Sequence, residues 1–457
     1  MSFFRPVIPP ELRELTAELL ALPRSGRGPG FHRMLHLIGE ARRSSWWQGL
    51  EAIKITGSKG KGSTSALVSA IFRELGISHG LYTSPHLVRF AERIRVDGEP
   101  ISDGELIPAA RSALAARAEY EARYPDDPLG AFEVFTALAI GHFAAAGVAT
   151  VVSEAGIGGR YDATRVLPGS IAALTSVELE HTALLGTSRD FIAFDKADLC
   201  PDHGTLVTGL LDPDLRRRLA GYCAARNVEM VPVEDLASVS AIAYRDGVMR
   251  FSMTCDGIDF GTLASRLPGE HQAWNAALAV AVLRRWLART GTAVDDGKLE
   301  IAVREALETV EWPGRFQRVL TNPDVILDVG HTPQSVRGVA RTMRLAYPDR
   351  PVLLVTGVST DKDAEGILWE LVPHAESVLC TRTHHKGMPA AEIADLCRRI
   401  RPEVEIEARD GIEEAMEAAL ARASRDGMVV LVAGGLFLAV EAAVSLQGGD
   451  PRQIQFY

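Results

Sequence analysis

The sequence predicts an α/β protein with a parallel-sheet domain followed by a second, smaller Rossmann-like α/β domain. Short apolar strands alternate with helical patterns along most of the chain. This alternation is typical of a parallel sheet covered on both faces. A turn rich in glycine and lysine joins the first strand to a helix. The length of 457 residues exceeds what one compact core usually spans, which favours more than one domain.

The first series begins with a strand, a turn and a helix. Residues 52–56 (AIKIT) form the predicted strand. Apolar residues recur after the turn at helical spacing, at Leu67, Ala70, Ile71 and Leu75. Two further apolar strands are predicted at residues 148–153 and 170–177, and residues 231–267 predict a β-rich excursion of short strands.

A second series begins after the Trp312-Pro313-Gly314 turn, where proline and glycine interrupt the chain. Its predicted strands are residues 325–328, 351–356, 377–380, 404–407 and 428–433. We therefore expect one domain over residues 1–310 and another over residues 311–457.

The composition is that of an ordinary globular protein, with 47% hydrophobic and 24% charged residues. The 49 Lys and Arg against 59 Asp and Glu give a formal net charge of −10, which disfavours a polyanion such as DNA. We find neither a secretory leader nor an apolar run of about 18 residues. The five cysteines show no C-x-x-C pattern. These features predict a cytoplasmic protein with reduced thiols and with no nucleic-acid or membrane partner.

The turn after the first strand reads Gly57-Ser58-Lys59-Gly60-Lys61-Gly62-Ser63-Thr64. Glycines let backbone N–H groups curl around an anion, and a helix N-terminus adds partial positive charge. Lys61 can reach the outer phosphates of a nucleoside triphosphate. The turn departs from the common G-x-x-x-x-G-K-[ST] loop, because Ile55 takes the first glycine position and Gly62 follows Lys61. A phosphate-binding loop is the prediction, and a flexible surface turn is the alternative.

Nine blocks between about residues 25 and 440 carry a family resemblance. They are TGSKGKGST, TSPHLVRFAERIRVDGEPIS, EAGIGGRYDAT, the Glu180-His181-Thr182 segment, AFDKADL, LPGEHQAWNAALA, WPGRFQRV, DVGHTP and GVSTDKD. Together they resemble folylpolyglutamate synthase and dihydrofolate synthase of the Mur ligase superfamily. The resemblance implies a P-loop ATPase domain over residues 1–310, an amino-acid-binding domain over residues 311–457, and an ATP-dependent carboxylate–amine ligase of one-carbon metabolism that acts as a monomer.

Such a ligase transfers the γ-phosphoryl group of ATP to a carboxylate, and an amine then attacks the acyl phosphate. This chemistry requires a phosphate cradle, a divalent metal and cations. The resemblance implies that Ser84, Glu154 and His181 hold Mg²⁺, and that Lys196 forms a carbamate beside a second metal. Together with Lys61, the residues Glu154, His181 and Lys196 are the candidate catalytic residues.

Each candidate also has an ordinary structural interpretation. Glu154 follows an apolar strand, so it is expected at the carboxyl edge of a parallel sheet, where ligands gather. A loop or capping Glu is the alternative. His181 would otherwise be a surface histidine, and Lys196 a solvated helix lysine. A carbamate requires a neutral amine, and therefore a lysine pKa lowered by burial or by nearby cations.

The resemblance also implies the nucleotide and substrate contacts. Asn275, Arg315 and Asp328 are implied for the base and sugar, with Gln272 sharing the adenine contact. Asp162 and His331 are implied on the substrate side. Arg315 follows a Pro-Gly turn at the expected domain junction, from which it can contact phosphate.

Several departures from the family fall near the expected amino-acid and acceptor sites. They are Thr332 for Asn, Gly435 for Ser in a Gly-Ser pair, Arg165 for Asn, Gln317 for an acidic residue, and the HHKGMP segment at residues 384–389 for a PRA turn. Each lost hydrogen bond to a charged group weakens recognition by roughly 1.5–3 kcal/mol. The adjacent His384 and His385 predict a solvated loop rather than a metal site, because strand neighbours point to opposite faces.

The most favoured function is addition of L-glutamate to a folate or dihydropteroate carboxylate. The same ligase chemistry with a non-folate acid or another amino acid is the alternative. A P-loop ATPase or kinase without an amide product is a third possibility, and a catalytically inactive homologue used as a binding module is a fourth. The presence of Lys61, Glu154, His181 and Lys196 together argues against the last.

Overall fold

A computed structural model of the chain describes residues 9–23, 26, 28, 30–39, 44–245 and 248–456. Residues 1–8, considered above for a leader, lie outside the described residues, as does residue 457, the last residue of the second predicted domain. No helix of the described residues is long and apolar enough to cross a lipid bilayer.

The first sheet has eight strands in the order β4-β3-β2-β5-β1-β6-β7-β8. They are β1 (Glu51–Thr56), β2 (Gly80–Tyr82), β3 (Ile94–Val96), β4 (Glu99–Pro100), β5 (Thr150–Glu154), β6 (Ile171–Leu174), β7 (Thr205–Thr208) and β8 (Glu229–Pro232). All pair in parallel except β3 and β4. The parallel sheet predicted from the apolar runs is confirmed, although β5 and β6 are shorter than their predicted spans.

Helices cover both faces of this sheet. Alternate residues of its central strand, β1, point to opposite faces and therefore enter different cores. Ile53 and Ile55 join one core, whereas Ala52 joins the other. The helices of this half are Pro10–Leu20, Phe31–Leu37, Ser45–Gly49, Lys61–Glu74, Asp103–Arg123, Ala131–Ala146, Thr182–Leu185, Arg189–Ala197, Pro213–Ala225, Glu270–Thr290 and Asp296–Thr309. Short 3-10 helices span Phe90–Arg93, Ala163–Val166 and Val233–Asp235.

The predicted β-rich excursion is an antiparallel sheet of β9 (Ala237–Arg245), β10 (Val248–Cys255) and β11 (Ile258–Ser265), with β10 central. Burial alternates along β10, as expected for a strand with one covered face. Its buried residues pack in the same core as the long helix that follows β11. The excursion is therefore confirmed as a sheet against the first domain's helices.

The second sheet has six strands in the order β12-β13-β17-β14-β15-β16, and only β12 is antiparallel. They are β12 (Gln317–Thr321), β13 (Asp324–Leu327), β14 (Val352–Thr356), β15 (Ser377–Thr381), β16 (Glu405–Arg409) and β17 (Val429–Val432). Its helices are Pro333–Ala346, Ala364–Leu371, Ala390–Ile400, Ile412–Asp426 and Leu436–Leu446, with 3-10 helices at Val372–His374 and Pro451–Gln453.

All five strands predicted for this half are present. The edge strand β12 was not predicted, because its partly exposed residues form no apolar run. The boundary near residue 310 stays a prediction. It falls between the helix Asp296–Thr309, which packs in the first core, and β12 of the second sheet.

Candidate active site

The phosphate-loop candidate begins where β1 ends, and its backbone requires glycine at two points. Gly57 has φ +146° and Gly60 has φ +86°, in the region that side chains disfavour. A Cβ at Gly57 would lie 1.9 Å from Thr175 Oγ1. Gly60 ends the turn, and the helix starts at Lys61. The sequence therefore correctly predicts a strand, a glycine turn and a helix N-terminus.

Residues that follow β6 hold this loop from the side. The Lys59 N–H donates to Ser176 Oγ at 2.8 Å, and the Glu178 N–H donates to Ser58 Oγ at 2.9 Å. The Thr175 hydroxyl donates to the Lys59 carbonyl. Sequence reasoning missed these supports. Their only signal is the pair of hydroxyl residues near the end of the predicted strand at 170–177 and the acidic Glu178 that follows it.

The side chain of Lys61 folds back onto the glycine loop that precedes it. Its Nζ donates to the Gly57 carbonyl at 2.8 Å. Ser63 and Thr64 are buried in the first helical turn. Among the described residues, the Thr64 hydroxyl has no hydrogen-bond partner. The loop thus presents an ammonium group and a buried hydroxyl at one helix N-terminus.

Two residues implied for the nucleotide base lie against the loop. A Cβ at Gly60 would lie 2.8 Å from Asn275 Oδ1. Asn275 Nδ2 donates to Gln272 Oε1 at 2.9 Å, and Gln272 is buried. The indole ring of Trp312 lies 3.0 Å from the position of a Cβ at Gly62. The sequence indicated only a turn at Trp312, so the contact of its ring with the glycine loop was not predicted.

Glu154 and Ser84 are brought together at the carboxyl edge of the first sheet. Glu154 is the last residue of β5 and only 4% exposed. Its Oε2 accepts the Ser84 N–H at 3.1 Å. Burial raises the pKa of Glu154, and the nearby Lys61 opposes this shift, followed by the Ser84 hydrogen bond. The pair offers a buried carboxylate oxygen and a hydroxyl beside the loop lysine.

Lys196 is buried rather than solvated, with a side chain only 1% exposed. The solvated-lysine alternative is therefore wrong. Its Nζ donates to Glu180 Oε1 at 3.0 Å. Burial lowers the pKa of Lys196, and repulsion by Lys61 lowers it further, whereas Glu180 raises it. The sequence indicated Glu180 only as part of the Glu180-His181-Thr182 segment, so its ion pair with Lys196 was not predicted.

His181 directly follows Glu180 and is exposed, with φ +47°. Partial loss of solvation lowers the pKa of His181, and Glu180 opposes that shift. Repulsion by Lys61 and Lys196 lowers the same pKa, which puts His181 within their electrostatic reach. The charge of Lys61 therefore acts on His181, Lys196 and Glu154 alike.

The described residues contain no group of three or more His, Cys, Asp or Glu side chains able to hold a metal ion. Magnesium is usually bound by one or two carboxylates plus waters and substrate phosphates. The hydroxyl of Ser84, the buried carboxylate of Glu154 and the ring of His181 are compatible with that mode of binding. A carbamate on Lys196 would add a second anionic ligand.

In the second sheet, Asp328 supports the turn that carries Arg315. Its carboxylate accepts the Phe316 N–H at 2.9 Å and the Gly330 N–H at 2.7 Å. Burial raises the pKa of Asp328, and Arg315 opposes this shift. His331 follows on the same loop and is exposed. The roles of these residues toward a nucleotide or an amino acid stay predictions.

Asp162 organises the loop after Glu154. One carboxylate oxygen accepts the N–H groups of Gly156 and Ile157 at 2.9 and 3.1 Å. The other accepts the N–H and hydroxyl of Thr164 at 2.9 and 2.6 Å. These four bonds use about the full acceptor capacity of a carboxylate. Its role as a substrate ligand stays a prediction, whereas its contacts here fix the loop shape.

The Gly434–Gly435 pair precedes the helix Leu436–Leu446. Gly434 has φ +138°, and a Cβ there would lie 2.7 Å from Thr356 Oγ1. At Gly435 the backbone is extended, with φ 177°, and the nearest atom to a Cβ is Gly357 O at 3.6 Å. A side chain is therefore sterically possible at Gly435 but not at Gly434.

The segment at residues 384–389 is a loop, as predicted, but it is not simply solvated. The carboxylate of Glu441, which is fully buried, accepts the N–H groups of His384 and His385 at 2.8 and 3.1 Å. The His385 ring packs against Phe437, with ring centroids 4.3 Å apart. The hydrogen bonds of Glu441 were not predicted, because an acidic residue in an apolar helix does not indicate which backbone N–H groups its carboxylate accepts.

Known proteins resemble the chain over nearly its whole length. Residues 314–436 match the family model described as Mur ligase, glutamate ligase domain. The Escherichia coli (strain K12) dihydrofolate synthase/folylpolyglutamate synthase is 31% identical over 383 residues, covering 82% of each chain. A Mycobacterium tuberculosis folylpolyglutamate synthase structure complexed with ADP has a TM-score of 0.85 at 27% identity, covering 96% of this chain and 99% of that one.

A longer relative has a second named activity. The probable bifunctional folylpolyglutamate synthase/dihydropteroate synthase of Haloferax volcanii is 34% identical over 449 residues, which cover 94% of this chain. The chain spans about half the length of that protein, since the match covers 50% of it.

Proposed function

The chain belongs to the folylpolyglutamate synthase/dihydrofolate synthase family of the Mur ligase superfamily, and we propose that it is an ATP-dependent ligase that adds L-glutamate to a folate or dihydropteroate carboxylate. The products would be the amide, ADP and phosphate. The observation that carries the proposal is the arrangement around Lys61. Its ammonium group donates to the glycine loop, and its charge acts on a buried carboxylate, Glu154, and on a buried lysine, Lys196.

The loop would bind ATP through its backbone N–H groups and the helix N-terminus, with Lys61 leaving the Gly57 carbonyl to contact the outer phosphates. Asn275, which lies against Gly60, would contact the base together with its hydrogen-bond partner Gln272. Arg315 would approach the phosphates from the second domain. These cations stabilise charge on the migrating phosphoryl group as it passes to the acid.

Mg²⁺ would be held by Ser84, Glu154 and His181, where it would neutralise charge on the phosphates. The residues themselves have distinct tasks. The Ser84 N–H fixes one oxygen of Glu154, so the carboxylate has a defined orientation. Lys196, as a carbamate, would add a negative group at the position that its ammonium now occupies beside Glu180.

The second domain would present the amine. His331 and the N-terminus of the helix Leu436–Leu446 lie at the carboxyl ends of parallel strands, where ligands of such sheets gather. We propose that the domain boundary falls near residue 310. We also propose a cytoplasmic monomer with no nucleic-acid or membrane partner, which gel filtration with and without nucleic acid and lipid vesicles would test.

The function is tested by mixing the protein with ATP, Mg²⁺, L-glutamate and either dihydropteroate or tetrahydrofolate. We expect release of ADP and phosphate only when both acid and amine are present, together with a product heavier by one glutamyl group in mass spectrometry. Phosphate release that needs neither substrate would indicate an ATPase instead. Omitting only the acid is the control for acid-independent hydrolysis, and omitting only the amine is the control for amine-independent hydrolysis.

A different amino acid is the second candidate, favoured by Gly435 in place of serine. We expect Gly435→Ser to lower the KM for L-glutamate by about tenfold if the native enzyme uses another amine, because a restored hydroxyl can bind a carboxylate. The extended backbone and the 3.6 Å clearance at Gly435 allow the substitution. Steady-state kinetics with a panel of amino acids measures the effect.

Gly435→Ala is the matched control, because it adds the Cβ without the hydroxyl. It should leave the KM for L-glutamate unchanged. An unchanged or higher KM for Gly435→Ser would argue against a specificity change at this position.

A further inference from the structure

The segment at residues 450–456 contacts both halves of the molecule. The Gln455 carbonyl oxygen lies 3.1 Å from His86 Nε2, in the loop that follows β2. The Phe456 ring packs against Phe437 and His385, with ring centroids 4.5 and 5.1 Å apart. Phe437 belongs to the helix Leu436–Leu446 of the second half. The segment thus ties a loop of the first half to a helix of the second.

Both ends of this connection lie close to candidate site residues in the sequence. His86 comes two residues after Ser84, whose N–H holds Glu154. Phe437 comes two residues after Gly435, on the side where the amine is expected. A displacement of the segment would therefore shift residues beside the candidate metal ligands at one end and residues beside the expected amine site at the other.

Hydrogen bonds on both nitrogens fix the ring of His86. Arg93 Nε donates to His86 Nδ1 at 2.8 Å, so the proton of the neutral ring is on Nε2. That N–H donates to the Gln455 carbonyl. His86 and Arg93 are 4% and 2% exposed. A buried donor that loses its partner is costly, so this ring has one favoured position.

The loop that carries His86 is held by hydrogen bonds of its own. The carboxylate of Glu92 accepts the N–H groups of Leu87, Val88 and Arg89 at 2.8, 2.9 and 2.6 Å. The Leu87 side chain packs against a core of the second sheet. Because one carboxylate holds three successive amides, the loop just after His86 has a fixed shape, and only Pro85 separates His86 from Ser84 on the other side.

We propose that His86 is a positioning residue, and that residues 450–456 form a strap linking the amine side of the second domain to the Ser84–Glu154 pair. The strap holds the loop in place through the Gln455 carbonyl and is itself anchored by Phe456 on Phe437. The kinetic consequence rests on the proposed ligase function. The structural coupling does not, and it is measured without any substrate.

Hydrogen–deuterium exchange tests the structural part in a variant that lacks residues 454–457. We expect exchange of the amides of Ser84 and of residues 86–89 to accelerate about threefold to tenfold, as loss of one buried hydrogen bond would allow. Exchange in the helix Glu270–Thr290 should not change. Arg452→Ala is the matched control, because that side chain lies on the same segment and is 68% exposed. Phe456→Ala gives a milder version if the deletion variant is unstable.

A second set of variants separates the strap from a general loss of packing. His86→Ala should accelerate exchange in the same amides, and adding the deletion to it should produce no further change. His86→Gln, which keeps an N–H donor near the Nε2 position, should restore part of the protection. Unchanged exchange in the deletion variant, or additive effects with His86→Ala, would overturn the proposal.

The kinetic part compares KM values for the amine and for ATP. Loss of the strap should raise the KM for the amine and lower kcat while the KM for ATP stays constant. Faster exchange without any kinetic change would overturn the positioning role. Absence of ligase activity in the unmodified protein would refute the proposed function instead, and the exchange experiment would still decide whether the strap exists.

Discussion

Lys61→Ala is expected to reduce turnover by about a hundredfold to a thousandfold, the usual effect of removing one charged group aimed at a developing transition-state charge. Lys61 is the cation common to the loop and to the buried groups around it. It contacts the Gly57 carbonyl, and its field opposes the raised pKa of Glu154 and lowers the pKa of Lys196. The measurement is single-turnover formation of ADP with saturating acid and amine.

The fold should survive this change, because Lys61 is partly exposed at a helix N-terminus and carries little packing. The melting temperature is therefore expected to stay constant. Lys298→Ala is the matched control, since Lys298 is an exposed lysine in the first turn of another helix. Near-normal turnover in Lys61→Ala would refute the phosphate role of the loop.

In the first sheet only β1, β5 and β6 were predicted, because they are buried and read as apolar runs, whereas β2, β3, β4, β7 and β8 were not predicted. β1 and β17 lie within a residue or two of their predicted positions for that reason. β12 was missed because an edge strand needs no apolar run. The order of the strands could not be predicted from the sequence either, because parallel pairing joins segments far apart in the chain, such as β1 and β5.

Within the site, residues whose backbone or position is unusual could be predicted, and their partners could not. The glycines of the loop are visible because only glycine tolerates their torsion angles. Glu180 was not predicted as a partner of Lys196, since an acidic residue in a loop is ordinary until the fold brings a buried lysine to it. The same holds for Glu441 and the strap, whose contacts span long stretches of sequence.

Opposing effects act on the protonation of Lys196, and the sequence could not reveal them because one arises from its ion pair with Glu180. Glu180 stabilises the ammonium form of Lys196, whereas burial and Lys61 favour the neutral amine. In the proposed carbamate, the neutral amine of Lys196 would attack CO₂ to form the N–C bond and would release one proton. Because the pKa of Lys196 is lowered from its ordinary value, carbamate formation should be appreciable at lower pH than for a solvated lysine, and it should decrease as the pH falls.

Lys196→Ala is accordingly expected to reduce kcat by about a hundredfold or more, as for loss of a group beside the transferred phosphoryl. Added formate or acetate should restore part of this activity, because a small carboxylate can occupy the space of the missing carbamate. In the unmodified protein, ¹³C-labelled bicarbonate should give a carbamate signal in NMR spectra that weakens on acidification and is absent in Lys196→Ala.

Glu180→Gln is the informative companion variant, because it removes the charge that stabilises the ammonium form and that would repel a carbamate. Its carbamate signal should therefore be stronger than that of the unmodified protein at the same pH and bicarbonate concentration. A Lys196→Ala protein with full activity and no response to formate would exclude the carbamate. Lys196 would then serve only as the buried partner of Glu180, and the negative charge beside the phosphates would have to come from Glu154 alone.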